Sequence, residues 1–107
     1  LVQHWYDLAI GTSLYNISQN INTQKNCIDT GLYIHNNKAK FRLFEVHKQE
    51  FYDALGEDVE FREAEKASRI ILSRSIDLSD ESTWEEAAKW LLEKSIIFKQ
   101  LAKTIDK

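Results

Sequence analysis

The sequence has no proline, no methionine, a single cysteine and only three glycines in 107 residues. Without proline-rich or glycine-rich segments there is no flexible linker, so we expect residues 1–107 to form one domain. The lone Cys27 excludes an internal disulfide and favours a reducing, cytoplasmic location. A chain that begins at Leu1 and lacks methionine is typical of a domain excised from a longer protein. No apolar run approaches the roughly 18 residues of a membrane span, so we expect no membrane partner.

The composition is that of a globular domain. Hydrophobic residues make up 43% of the chain and charged residues 29%, which excludes intrinsic disorder. Fourteen basic against seventeen acidic side chains give a net charge of −3. This balance argues against a strongly basic nucleic-acid-binding protein but leaves room for a local basic patch.

Three segments in the first third alternate apolar and polar residues: 4–10, 14–21 and 27–34. Alternation with period two predicts strands, and the short polar connections predict antiparallel pairing. Residues 58–64 and 68–75 predict a further hairpin. Its register pairs Phe61 with Ile70 and Val59 with Leu72 on one face of the hairpin. The same register places Arg62 opposite Arg69 on the other face.

Two helices complete the expected fold. The first has N-cap candidates at Asn36 and Asn37, runs to residue 55 and stops at Gly56. The second begins at Ser82, which with Glu85 has the spacing of a capping box. The predicted fold is α+β, a mostly antiparallel five-stranded sheet with two helices on one face, in the order β-β-β-α-β-β-α.

Several short motifs resemble a bacterial family known as domain of unknown function 4268. They are Trp5-Tyr6-Asp7-Leu8-Ala9-Ile10-Gly11, the segment from Phe51 through Leu55-Gly56 to Phe61, Ser68-Arg69-Ile70, Thr83-Trp84 and Trp90-Leu91. Thr12 stands where the family often has arginine, and Phe61 where it usually has tryptophan. Family members often follow a region that resembles restriction-type nucleases, so the resemblance implies a role beside DNA or in phage defence.

Catalytic motifs are missing from the sequence. A restriction-type nuclease needs a Glu-x-Lys motif, and the nearest match is Glu60-Phe61-Arg62. His4, Cys27, His35 and His47 lack the spacing of metal ligands, and no glycine-rich phosphate loop is present. We therefore expect no catalytic residue, no metal, no cofactor and no enzyme activity in this chain.

Basic side chains are the candidates for weak nucleic-acid or anion binding: Arg62, Arg69, Arg74 and Lys48. The facing Arg62 and Arg69 predict a guanidinium clamp for phosphate, or, alternatively, neutralisation by Glu60, Glu63 or Asp29. Lys48 is expected within the apolar stripe of the first helix, where it either binds an anion or extends its amine into water. The polar stretch 16–26 predicts either amides that contact base edges or an ordinary polar hairpin.

The last helix is apolar over about two-thirds of its circumference. Trp90, Ile97 and Leu101 form a patch beside the core stripe, and Leu92 and Ile96 extend the opposite flank. This pattern predicts packing within the chain or, alternatively, a contact with an upstream domain or a second copy. The leading hypothesis is a non-catalytic accessory module of a bacterial protein linked to DNA processing or defence. The alternative is an oligomerisation or domain-docking module that uses Trp90, Ile97 and Leu101.

Overall fold

A computed structural model describes the backbone of residues 3–8 and the whole of residues 14–107. Residues 9 and 10 of the first predicted strand lie outside the described residues. The strands are β1 (Gln3–Leu8), β2 (Tyr15–Asn22), β3 (Cys27–His35), β4 (Glu60–Arg62) and β5 (Ala67–Ser75). The helices are α1 (Lys38–Val46), α2 (Lys48–Leu55) and α3 (Trp84–Ile105), and a short 3-10 helix at Glu81–Thr83 precedes α3.

The strands form one antiparallel sheet in the spatial order β1-β2-β3-β5-β4. Alternate residues of β2, β3 and β5 face the helices, as in the register pairs Ile17–Leu32 and Leu32–Ile70. These side chains are fully buried, because α3 lies over β2 and β3 while α1 lies against β5. The predicted α+β class with an antiparallel sheet is confirmed.

The prediction of two helices was wrong, because the first predicted helix is two helices. The break falls at His47, whose backbone (φ −101°, ψ 20°) leaves the helical range and caps both segments. The bend brings the ring of Phe51 within 6.2 Å of Phe44, 5.5 Å of Phe61 and 6.1 Å of Phe98. The element order therefore departs from β-β-β-α-β-β-α, and the aromatic core, not a proline or glycine, selects the break.

The ends of α1 and α2 follow the sequence signals. The side chain of Asn37 accepts a hydrogen bond from the Lys40 amide at 2.9 Å, as expected of an N-cap. Helix α2 ends at Gly56, which has φ +99°, a conformation that favours glycine. Both predicted boundaries are confirmed.

The second hairpin has the predicted register over a shorter length. Phe61 pairs with Ile70 and Arg62 with Arg69. The prediction that Val59 pairs within the hairpin was wrong, because β4 contains only residues 60–62. Val59 is nevertheless buried in the same core cluster as Ile70.

The predicted capping box at Ser82 was also wrong. Asp80 caps the 3-10 turn: its carboxylate accepts hydrogen bonds from the Ser82 amide at 3.0 Å and the Ser82 hydroxyl at 2.7 Å. The Ser82 side chain is therefore a donor to Asp80 rather than an acceptor for the helix. Thr83 occupies the N-cap position of α3, and its hydroxyl donates to the carbonyls of Asp77 and Asp80.

Candidate functional site

The two arginines predicted to face each other do so, and each contacts a carboxylate. Arg62 lies 2.8 Å from Glu60, and Arg69 lies 3.0 Å from Asp29 on β3. The Arg62 pair is solvent-exposed, whereas the side chains of Arg69 and Asp29 are largely buried. The like charges are thus balanced by the acidic neighbours that the sequence offered as the alternative to a phosphate clamp.

Asp29 is the centre of a polar cluster on the sheet face away from the helices. One carboxylate oxygen accepts from Arg69 and the other accepts from the Asn20 amide at 3.2 Å. Asn20 and its strand neighbour Ser18 are 5% and 1% exposed. Charge-assisted hydrogen bonds in a buried setting are strong, and these two tie Asn20 on β2 and Arg69 on β5 to Asp29 on β3.

The polar stretch 16–26 makes further contacts inside the molecule. Gln19 donates to the Ser95 hydroxyl on α3 at 2.8 Å, and Asn22 accepts from two amides of its own turn. Asn26 adopts φ +51° and accepts from the Leu78 amide at 3.0 Å. These contacts match the ordinary polar hairpin that the sequence offered as one alternative.

Arg74 lies apart from the other two arginines. Its register partner is Ile28, which faces the helices, and its guanidinium pairs with Glu86 of α3. Arg62 and Arg69 occupy the opposite face of the sheet. The structure therefore does not bring the three arginines together.

Lys48 does not project into an apolar stripe. It is the first residue of α2, directly after the break at His47, and it is exposed. The expectation failed because it assumed one continuous helix, in which Lys48 would share a face with the buried phenylalanines.

Two side chains of the predicted interface patch pack against the domain's own core. Trp90 and Leu101 are half-buried and pack against the main core cluster, and Ile97 is also half-buried. The contacts agree with packing within the chain, which the sequence offered as one alternative for this patch.

The exposed apolar surface lies on the opposite flank of the same helix. Trp84, Leu92 and Ile96 are 54%, 57% and 46% exposed, and Ala88 between them is exposed as well. At 100° per residue these four residues, here called the apolar α3 face, span about 120° of the helix. Helical periodicity placed Leu92 and Ile96 on this flank, but periodicity does not tell which flank the other helices cover.

A groove of about 540 Å³ adjoins the apolar α3 face. It opens between the start of α3 and the end of β2. The indole nitrogen of Trp84 donates to the Leu78 carbonyl at 2.8 Å, which holds the ring at one end of the groove. The residues that line it are predominantly apolar: Gln19, Ile21, Thr23, Leu78, Trp84, Ala87, Ala88, Leu91 and Leu92.

A second polar cluster joins the end of α3 to the rest of the domain. The Asp106 carboxylate accepts from Lys40 at 2.8 Å and from the Tyr15 hydroxyl at 2.7 Å. These two hydrogen bonds lower the pKa of Asp106. Burial, followed by the bond to Asp106, raises the pKa of Tyr15. The arrangement stabilises the carboxylate and the neutral phenol, so it is suited to a structural tether rather than to proton transfer near neutral pH.

Among residues 14–107, no three histidine, cysteine or acidic side chains are placed to hold a metal ion. Cys27 is a half-buried free thiol at the start of β3. No helix in the described ranges is both long and apolar enough to cross a bilayer.

These observations define a small α+β domain with a five-stranded antiparallel sheet and an apolar helix face exposed beside a groove. Residues 2–106 match the family described as a domain of unknown function (DUF4268), and the chain belongs to this family. The resemblance drawn from the aromatic, Leu-Gly and Ser-Arg-Ile motifs is thereby confirmed. No curated protein and no solved structure matches the chain.

Proposed function

We propose that this domain is a non-catalytic assembly module that joins protein chains through the apolar α3 face. The observation that carries the proposal is the exposure of Trp84, Leu92 and Ile96 on one helix flank, next to an apolar groove. Single exposed apolar residues are common on protein surfaces, but a contiguous patch beside a groove is typical of an interaction site. The proposal transfers the docking role from the predicted patch at Trp90 to this opposite flank.

The biological setting that we propose is a bacterial protein engaged in DNA processing or defence, in the cytoplasm. The resemblance to a family whose members often follow nuclease-like regions supports this setting. Direct nucleic-acid binding is the less favoured role, because it would use Arg62, Arg69 and Arg74 together. The first two contact carboxylates on one sheet face, and Arg74 pairs with Glu86 on the other.

A displayed library of helical peptides tests the docking role without a known partner. We expect selection to enrich amphipathic peptides with apolar residues three or four positions apart, because such peptides fit a groove beside a helix. Replacement Leu92→Asp should weaken their binding at least tenfold, since it places a charge in the centre of the apolar face.

The matched control is Val46→Asp, which makes the same kind of change at an apolar residue that is 77% exposed on α1. It should leave peptide binding unchanged. If both variants reduce binding equally, or if neither a peptide nor a second copy of the chain binds this face, the docking role of the α3 face is wrong.

A further inference from the structure

Seven residues along the exposed flank of α3 are spaced symmetrically, so that the gaps between them read the same from either end of the helix. The row, here called the α3 stripe, begins in the 3-10 turn, and successive members are 4, 3, 4, 4, 3 and 4 positions apart. The six members within α3 fall in a sector of about 80° on the helix. The α3 stripe consists of Glu81, Glu85, Ala88, Leu92, Ile96, Lys99 and Lys103.

The charges in the α3 stripe are separated by sign. Glu81 and Glu85 lie at the amino end, Lys99 and Lys103 at the carboxyl end, and only apolar residues lie between them. All members are exposed except Lys99, which is half-buried. Within the described part of the chain none of the four charged side chains forms an ion pair. Their charges are therefore available to a partner.

We infer that the occupant of the apolar α3 face is a second copy of this chain, with the two α3 helices packed antiparallel about a two-fold axis at Leu92. This inference rests on the proposed function, because it specifies the partner of the same face. A two-fold interface uses one patch on both subunits, so the patch must complement itself. The α3 stripe meets this condition, because reversing its direction places each acidic position opposite a basic one.

The antiparallel arrangement defines specific contacts. Leu92 packs against Leu92 of the partner subunit, and Ala88 packs against the partner's Ile96. Because Ala88 also lines the groove, the partner's Ile96 lies at the groove's edge. Glu85 faces the partner's Lys99, and Glu81 faces the partner's Lys103. A parallel arrangement would instead place each glutamate beside its own copy, and like charges at such spacing repel.

The positions of the charges favour a second copy over an unrelated apolar partner. An apolar segment would be accommodated by the groove and Leu92, with no need for opposite charges at matched distances from Leu92. Glu85 and Lys99 each lie seven residues from Leu92, about 10.5 Å along the helix, and Glu81 and Lys103 each lie eleven residues away. Matched distances of opposite charge are what an antiparallel copy requires.

Sedimentation of the wild-type domain over a concentration series tests the inference. We expect a reversible monomer–dimer equilibrium that Leu92→Asp abolishes. Glu85→Lys and Lys99→Glu should each weaken the dimer about tenfold, because each converts two symmetry-related attractions into repulsions. The double variant Glu85→Lys with Lys99→Glu should recover wild-type association, since both members of each contact are reversed.

Glu93→Lys is the matched control, because Glu93 is an exposed acidic residue of α3 outside the stripe. It should leave the dimer unchanged, and circular dichroism should show that every variant is folded. A double variant that stays as weak as the single variants overturns the antiparallel pairing. A wild-type domain that is monomeric throughout, yet binds selected peptides through Leu92, overturns self-association and leaves the docking role intact. Absence of both kinds of binding contradicts the two proposals together.

Discussion

At the scale of single residues, Gly31 is the position where the sheet tolerates no side chain. A Cβ atom at this position would lie 1.9 Å from the carbonyl oxygen of Ile70 and 2.7 Å from the Cα of Ile71. Both atoms belong to the backbone of β5, so no rotamer change can relieve the contact. We expect Gly31→Ala to destabilise the domain by about 3 kcal/mol, because the two strands must move apart.

Urea unfolding measures this loss, with Gly56→Ala as the comparison. A Cβ at Gly56 would meet no atom within 4 Å, and its cost would come only from the positive φ of +99°. The Gly56 variant should therefore lose less stability, about 1–2 kcal/mol. If Gly31→Ala is no more harmful than Gly56→Ala, the close approach of β3 and β5 is not a constraint on the fold.

At the scale of elements, the strands were the most predictable part of the molecule. Alternation in 14–21 and 27–34 predicted β2 and β3 closely, because a half-buried strand must place apolar residues at every second position. The break at His47 had no such local signal. It depends on the packing of Phe51 against rings from other elements, which are distant in sequence.

The beginning of α3 illustrates a competition between two local signals. Ser82 and Glu85 have capping-box spacing, but the Asp80 carboxylate accepts the hydrogen bond of the Ser82 amide, and Glu81–Thr83 forms a 3-10 helix before α3.

The candidate docking surface also depends on an outcome that local signals did not determine. The helix was predicted to be apolar on both flanks, and tertiary packing then decided that Trp90 is half-buried while Leu92 stays exposed.

The end of α3 supports a prediction about acid stability. The pKa of Asp106 is lowered in the folded domain by the hydrogen bonds from Lys40 and Tyr15. A carboxylate with a lowered folded-state pKa stabilises the fold above its unfolded pKa, about 3.9, and this stabilisation is lost as pH falls through the lowered value. We expect Asp106→Asn to cost about 1 kcal/mol at neutral pH.

The difference between wild type and Asp106→Asn should shrink below about pH 4, where the wild-type carboxyl begins to take up its proton. Unfolding curves at neutral pH and at successively lower pH give this comparison. Asp58→Asn is the control, since Asp58 is exposed and precedes β4. A stability difference for Asp106→Asn that is independent of pH would show that the tether does not depend on the charge of Asp106.

At the scale of the whole molecule, the distribution of charge decides between binding to protein and binding to nucleic acid. The net charge is −3, and the arginines predicted to bind phosphate lie on different sheet faces beside acidic groups. To bind phosphate, these arginines would have to give up their carboxylate partners. The domain also has no surplus of positive charge that would attract a nucleic acid. The sequence supplied the arginines, but only the register and the neighbouring strands determined their partners.

We therefore expect no binding of labelled single-stranded or duplex oligonucleotides at about 150 mM salt, and at most weak binding near 20 mM. Fluorescence anisotropy over a salt series measures both regimes. If Arg62 contacts phosphate at low salt, Arg62→Ala should reduce the slope of log affinity against log salt by about one unit. Arg42→Ala is the matched control, because Arg42 is an exposed arginine of α1 that also pairs with glutamate. Tight binding at the higher salt concentration, abolished by Arg62→Ala but not by Arg42→Ala, would contradict this expectation. It would show that the sheet face away from the helices binds nucleic acid.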